Sequence, residues 1–109
     1  MANTFKLKTK ANVGVTTVGI YTAPASTTTV VIGITLANTS GSGGNVGVGV
    51  TRAGTTEDVK LLKNAPIPQG SSLEFMAGNK VVLEATDTVT VDSDTNNSVD
   101  AALTIMEIT

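Results

Sequence analysis

Nearly the whole chain is written with a period of two, and no window sustains an apolar period of 3.6 residues between helix caps. That periodicity restricts the fold to strands. Val46, Val48 and Val50 alternate with Gly47, Gly49 and Thr51, which predicts a strand with one face bare enough for another backbone or layer to approach closely. From Thr27 to Ala37, alternation sets Val30, Ile32, Ile34 and Leu36 on one face and Val31, Gly33, Thr35 and Ala37 on the other. Both faces are apolar or small, as in a central strand covered on two sides, either by its own second layer or by a neighbouring subunit.

The remaining segments follow the same rule. Phe5 and Leu7 alternate with Lys6, Lys8 and Lys10, predicting a first strand with one apolar and one cationic face. Val13, Val15 and the run through Ile20 and Tyr21 predict a second strand, interrupted by Gly14 and Gly19 and closed by Ala23-Pro24-Ala25-Ser26. Asn38 to Gly44 is loop by composition. After a polar turn at Ala53 to Thr56 and a strand at Val59 to Leu62, the stretch Asn64 to Gly70 predicts an extended connection, because Pro66 and Pro68 lack an N–H. Leu73 and Phe75 open a further strand that Gly78-Asn79 turns and Val81 to Leu83 continues. Val89 and Val91 form the next, and Val99, Ala101, Leu103 and Ile105 the last, with Met106 and Ile108 on its opposite face.

Eight or nine short strands joined by Gly, Pro, Asn and Ser turns predict an all-β, antiparallel β-sandwich of jelly-roll or immunoglobulin-like kind. No linker or repeat divides the 109 residues, so residues 1–109 form one domain. Its core materials are thin: aromatics are 3% of the chain, namely Phe5, Tyr21 and Phe75. Small aliphatic side chains bury less area each, so self-association, with a trimer as the favoured state, would supply burial that one subunit lacks.

Composition removes several function classes. A net charge of −2 gives no field for polyanions and argues against direct nucleic-acid binding. With no His and no Cys, the chain lacks the commonest general base, the commonest transition-metal ligand and any disulfide. The amino-terminal segment has no apolar stretch after its charges, so cytoplasmic synthesis is expected. Val30 to Leu36 is far shorter than the ~20 apolar residues of a spanning helix, and no membrane association is expected.

Specific motifs fail in turn. Asp92-Ser93-Asp94 begins like a calcium loop, but Asn97 and Leu103 stand where an EF-hand needs Gly and Glu. An irregular cation site on Asp92, Asp94 and Asp100 stays open against a plain polar hairpin loop. Glu57 with Asp58, and Glu84 with Asp87, are carboxylate pairs beside turns, where acids commonly solvate a surface. Gly41-Ser42-Gly43-Gly44 lacks the Lys-Ser/Thr pair and the helix of a phosphate loop. Lys6, Lys8 and Lys10 read as edge protection or a subunit contact, since no aromatics interleave them to stack bases. No enzyme and no cofactor is expected. The rival from another class is a receptor- or glycan-binding module using Tyr21, because alternation buries Phe5 and Phe75.

Three stretches carry a resemblance: Ile67-Pro68-Gln69-Gly70-Ser71-Ser72-Leu73-Glu74, then Lys80-Val81-Val82-Leu83-Glu84-Ala85-Thr86-Asp87-Thr88-Val89-Thr90-Val91, then Ser98 to Ile108. Met1-Ala2-Asn3-Thr4 and the Tyr21-Thr22-Ala23-Pro24-Ala25 turn add to it more loosely. The pattern resembles small virion structural proteins of tailed bacteriophages, especially those of marine and freshwater bacteria. The resemblance implies a β-sandwich subunit of the particle, decorating or cementing the capsid exterior, or belonging to the neck or tail. It implies the major capsid protein or other virion proteins as partners, and no catalytic residues. Val31, Ala37, Met106 and Ile108, with Lys6, Lys8 and Lys10, are the candidate subunit contacts. For the apolar four, the second layer of the subunit's own core is an equal reading.

Overall fold

The computed structural model describes residues 3–53, 58–74, 80–95 and 98–109. Nine strands run through them: β1 (Asn3–Val13), β2 (Val18–Thr22), β3 (Thr28–Asn38), β4 (Gly44–Thr51), β5 (Asp58–Ile67), β6 (Ser72–Glu74), β7 (Val81–Leu83), β8 (Thr88–Ser93) and β9 (Val99–Ile108). The described residues contain no helix, hence none long and apolar enough to cross a membrane.

The first sheet has the order β1-β9-β3-β6, with β7 also paired to β3. The second has the order β2-β8-β4-β5, and every pairing is antiparallel. This is the two-sheet, double-Greek-key order of a jelly roll. An immunoglobulin-like sandwich would keep its first two strands in one sheet, whereas here β1 and β2 lie in different sheets. The inward side chains of both sheets form one cluster, aliphatic apart from Tyr21, that includes Ile34, Leu36, Leu103 and Ile105 from the first sheet and Val48, Val89 and Val91 from the second.

Several sequence expectations change in register. On β3 the buried residues are Thr29 and Val31, then Ile34, Leu36 and Asn38. The pairing with β9 shifts by one residue between Val31 and Gly33, a bulge that inverts which parity faces inward. Val31, expected as a subunit contact, is therefore a core residue with 1% exposure. Val30 is half-buried on the outer face, and so is Ala37 as expected.

β1 reverses its expected faces. Lys6, Lys8 and Lys10 lie opposite the buried Ile105, Leu103 and Ala101, so the cationic row shares the core side of the sheet. Phe5 and Leu7 point outward and are 69% and 64% exposed. The expectation that alternation buries Phe5 fails because β1 is an edge strand and the five-residue β2 does not roof it. Lysine stems can lie along such a wet rim while their ammonium groups stay in water.

Two boundaries also move. Val13 ends β1, and Val15 sits exposed in the turn before β2 rather than inside a strand. The expected connection from Asn64 is the continuation of β5, which pairs through Pro66 opposite Asn45. Proline is tolerated because β5 is the outer strand of its sheet, where an N–H can be missing without breaking a ladder on both sides. Phe75 and Gly78-Asn79, and all of the turn from Ala53 but Ala53 itself, lie outside the described residues.

Candidate functional site

The ladders of the first sheet set out its outer face row by row. Phe5, Met106, Val30 and Val82 stand side by side across four strands. On one side of that row lie Asn3, Ile108 and Thr28; on the other lie Leu7, Thr104 and Gly33. None of these residues is charged. Val82 is 58% exposed, so with Phe5 and Leu7 the face presents hydrocarbon to solvent, while Met106 and Ile108 are half-buried within it. Contiguous apolar rows of this kind mark protein contact surfaces more often than scattered exposed leucines do. Further along the same face a shallow trough of about 300 Å³ is lined by Thr9, Ala11, Thr35, Ala37 and Ala102, among others. Of the expected contact residues, Met106, Ile108 and Ala37 thus share one face, and the lysines occupy the adjoining edge.

The second sheet turns a different back to solvent. Gly19, Thr90, Gly49 and Lys60 form one outer row, and Thr22, Thr88, Thr51 and Asp58 the next. The predicted close approach at the glycines is present: a Cβ on Gly49 would lie 2.9 Å from the Val59 carbonyl oxygen, and one on Gly47 would lie 2.6 Å from Asp92 Oδ1. Two bulges of β5 against β4 accompany this approach.

Under the first sheet lies a buried polar network that the sequence reading missed. Tyr21 Oη donates to Glu107 Oε2 at 2.6 Å and lies 2.8 Å from Thr29 Oγ1, while Lys6 Nζ is 2.9 Å from Glu107 Oε1. The network joins β2 of one sheet to β9, β3 and β1 of the other. The Tyr21 hydrogen bond, followed by that of Lys6, holds the Glu107 carboxyl below its ordinary range. Burial, together with the carboxylate it serves, pushes the Tyr21 phenol up to about 12. The signal was present in the sequence, since Glu107 has the parity of Val99, Ala101, Leu103 and Ile105. Tyr21, the ring that the glycan-binding alternative would need, is a core residue with its hydroxyl engaged.

The acidic candidates separate. Asp92 Oδ2 accepts from Thr17 Oγ1 at 3.0 Å, Asp94 Oδ1 from the Asn45 amide at 3.1 Å, and Asp100 Oδ1 from the Asn12 amide at 3.0 Å. Each binds a different segment, and among the described residues no three acidic groups converge as a metal site would need. Glu84 and Asp87 do come together, on Arg52: its Nη2 is 2.6 Å from Glu84 and its Nε 3.1 Å from Asp87. Burial raises the Asp87 carboxyl, but the amides of Ala53 and Glu84 and the guanidinium outweigh it and leave the group below its usual range. That is the direction of a structural anchor; a general acid at neutral pH needs the opposite. Glu57 lies outside the described residues, and Asp58 is 3.8 Å from Lys60. The glycine-rich loop is organised by Asn38, whose side-chain amide donates to the carbonyls of Ser42 and Ile67, both at 2.9 Å.

No protein-family profile and no curated protein matches the chain. Among solved structures, a match comes from work titled as showing that Bacillus endospore appendages form a novel family of disulfide-linked pili. Its TM-score is 0.57 at 18% identity, over 99% of this chain and 87% of that one. At that identity the likeness establishes the β-rich fold alone.

Proposed function

We propose that this chain is a non-enzymatic structural subunit of a bacteriophage virion, a capsid decoration or cement protein that docks on other proteins through the outer face of its first sheet. The observation that carries the reading is the uncharged row Phe5, Met106, Val30 and Val82, exposed at Phe5 and Val82 and half-buried between them. The phage setting comes from the sequence resemblance. The partners are further copies, with a trimer expected, and the major capsid protein or another virion component. The place of action is the virion, after synthesis in the host cytoplasm. A neck or tail accessory would use the same face.

A second reading, a subunit of a non-viral filament, draws on the fold likeness, which runs nearly the full length of the chain. A disulfide link of the kind named for those pili has no sulfur to form it here, because the chain has no cysteine. The glycan-binding alternative loses Tyr21 to the core and retains Phe5 as its exposed ring, set among aliphatic neighbours.

Electron microscopy of phage particles assembled with and without the chain tests the first reading. Added density on the shell, and particles that survive heating better, are expected. Unchanged particles together with filaments formed by the purified chain would transfer the case to the second. A glycan array that registers binding lost on Phe5→Ala would favour the third. Native mass measurement reads the trimer directly.

A further inference from the structure

The longest free sheet edge belongs to β1. Among the described residues no strand pairs with the side of β1 that faces away from β9. The other edges are poorer templates: β2 has five residues, β6 and β7 have three each, and β5 carries Pro66, two bulges and Asn64 at φ 54°. β1 has eleven residues and keeps regular register against β9 from Asn3 to Lys10. It is also bare on both faces, for only Lys8 and Val13 are not exposed along it.

The lysines decide what can be added there. A strand laid against an edge places its side chains opposite residues on the same face, and like charges directly opposite each other are unfavourable. A second copy of β1 added with the core faces aligned would set lysine against lysine. Lys6 already has a carboxylate, Glu107, at 2.9 Å. Lys8 and Lys10 form no ion pair among the described residues. Next to them on the outer face stand Phe5 and Leu7, 69% and 64% exposed.

We propose that the β1 edge takes up an extended segment of another protein whose alternate side chains are carboxylates facing Lys8 and Lys10 and whose intervening side chains are apolar, continuing the row of Phe5 and Leu7. The lysines then do two things at once: they reject self-pairing, as charged residues on edges do, and they select an acidic strand. Main-chain hydrogen bonds supply the attachment and the alternate side chains the specificity, as in other strand additions. The proposal rests on reading the chain as a protein-binding subunit and names the chemistry of one partner.

The test titrates the whole chain with two synthetic nine-residue strands, one alternating valine and glutamate, the other valine and lysine. Calorimetry reads affinity and amide NMR shifts read location. The acidic strand is expected to bind, to shift β1 amides foremost, and to weaken as salt rises. Lys8→Glu with Lys10→Glu should weaken it about tenfold and admit the basic strand, two cross-strand pairs being reversed. Lys8→Gln with Lys10→Gln should fall between. No uptake of the acidic strand, equal uptake of both strands, shifts centred on β5, or indifference to the lysine changes would each overturn the proposal. If attachment to particles is lost on Val30→Glu with Met106→Glu while neither peptide binds, the outer-face reading survives and this one does not.

Discussion

The two sheets of this sandwich share one core and turn opposite characters to solvent. The back of the β2-β8-β4-β5 sheet is Gly19, Thr90, Gly49 and Lys60, then Thr22, Thr88, Thr51 and Asp58, polar or glycine throughout, with Thr90 and Gly49 closed off between exposed neighbours. The back of the β1-β9-β3-β7 rows is Phe5, Met106, Val30 and Val82, without a charge. Both were built by period-two alternation. In the second sheet the alternation is apolar against polar or glycine, which is the pattern of a half-buried strand; in β3, at the middle of the first, it is apolar against apolar or small. A sheet with hydrocarbon on both faces is stable in water at the cost of exposing one of them, so the first sheet is the one that gains from a partner.

The comparison breaks most readily at the outer faces themselves. Val30→Glu with Met106→Glu should abolish attachment, a loss of about 4 kcal/mol or more if the row is a hot spot, while circular dichroism still shows a folded sandwich. Thr22→Glu with Thr88→Glu on the opposite back should leave attachment unchanged. If both pairs behave alike, the asymmetry has no functional meaning.

The network between the sheets gives the next effect. Tyr21→Phe leaves the Glu107 carboxylate buried with its Lys6 contact alone and should lower stability by about 2–3 kcal/mol in urea unfolding. pH titration of stability sharpens this. Glu107 and Asp87 both have lowered folded values, so their contributions are complete above the ordinary carboxylate range and are lost as pH falls through those folded values. Tyr21 has a raised value, so its contribution holds below its ordinary value of 10.0 and disappears as pH rises toward about 12. Tyr21→Phe should remove the alkaline limb.

A matched pair of glycines compares the two backs sterically. Gly49→Ala places a Cβ 2.9 Å from a backbone carbonyl and should destabilise by about 1–2 kcal/mol. Gly33→Ala, on the first sheet, meets nothing within 4 Å and should stay within about 0.5 kcal/mol. A gain instead of a loss is expected at Thr86, a β-branched residue at φ 66° in the turn before β8. Thr86→Gly relieves that conformation and should raise stability by about 1 kcal/mol or less in thermal melts, with no effect on either face.

Much of the fold was legible because alternation and turn chemistry are local. Val46 to Val50 reads as a strand with a glycine face, and the structure has that strand with neighbours pressed against the glycines. Val99 to Ile108 reads as the last strand, with Met106 and Ile108 opposite its core face, and it is so. The errors cluster where a strand meets something distant. Pro66 was read as ending a strand because it cannot sit in a central one, and only topology makes β5 an edge. The inward parity of Val31 depends on one bulge opposite β9, some 70 residues away in sequence. Alternation says nothing of the partners that hold the Tyr21 hydroxyl in the core: Thr29, on the next strand, and Glu107, 86 residues on.

By itself, then, the sequence determined a strand-built, aliphatic sandwich without histidine or cysteine, since periodicity, turns and composition act within a few residues of one another. The tertiary structure alone decided which strands became edges, and from that which faces are bare. It placed the lysines of β1 on the core side of an unroofed rim and sent Phe5 and Leu7 outward, the reverse of what alternation in isolation favours. The physical reason is that a side chain's face is set by its register against a partner strand, and register is fixed by contacts between distant segments.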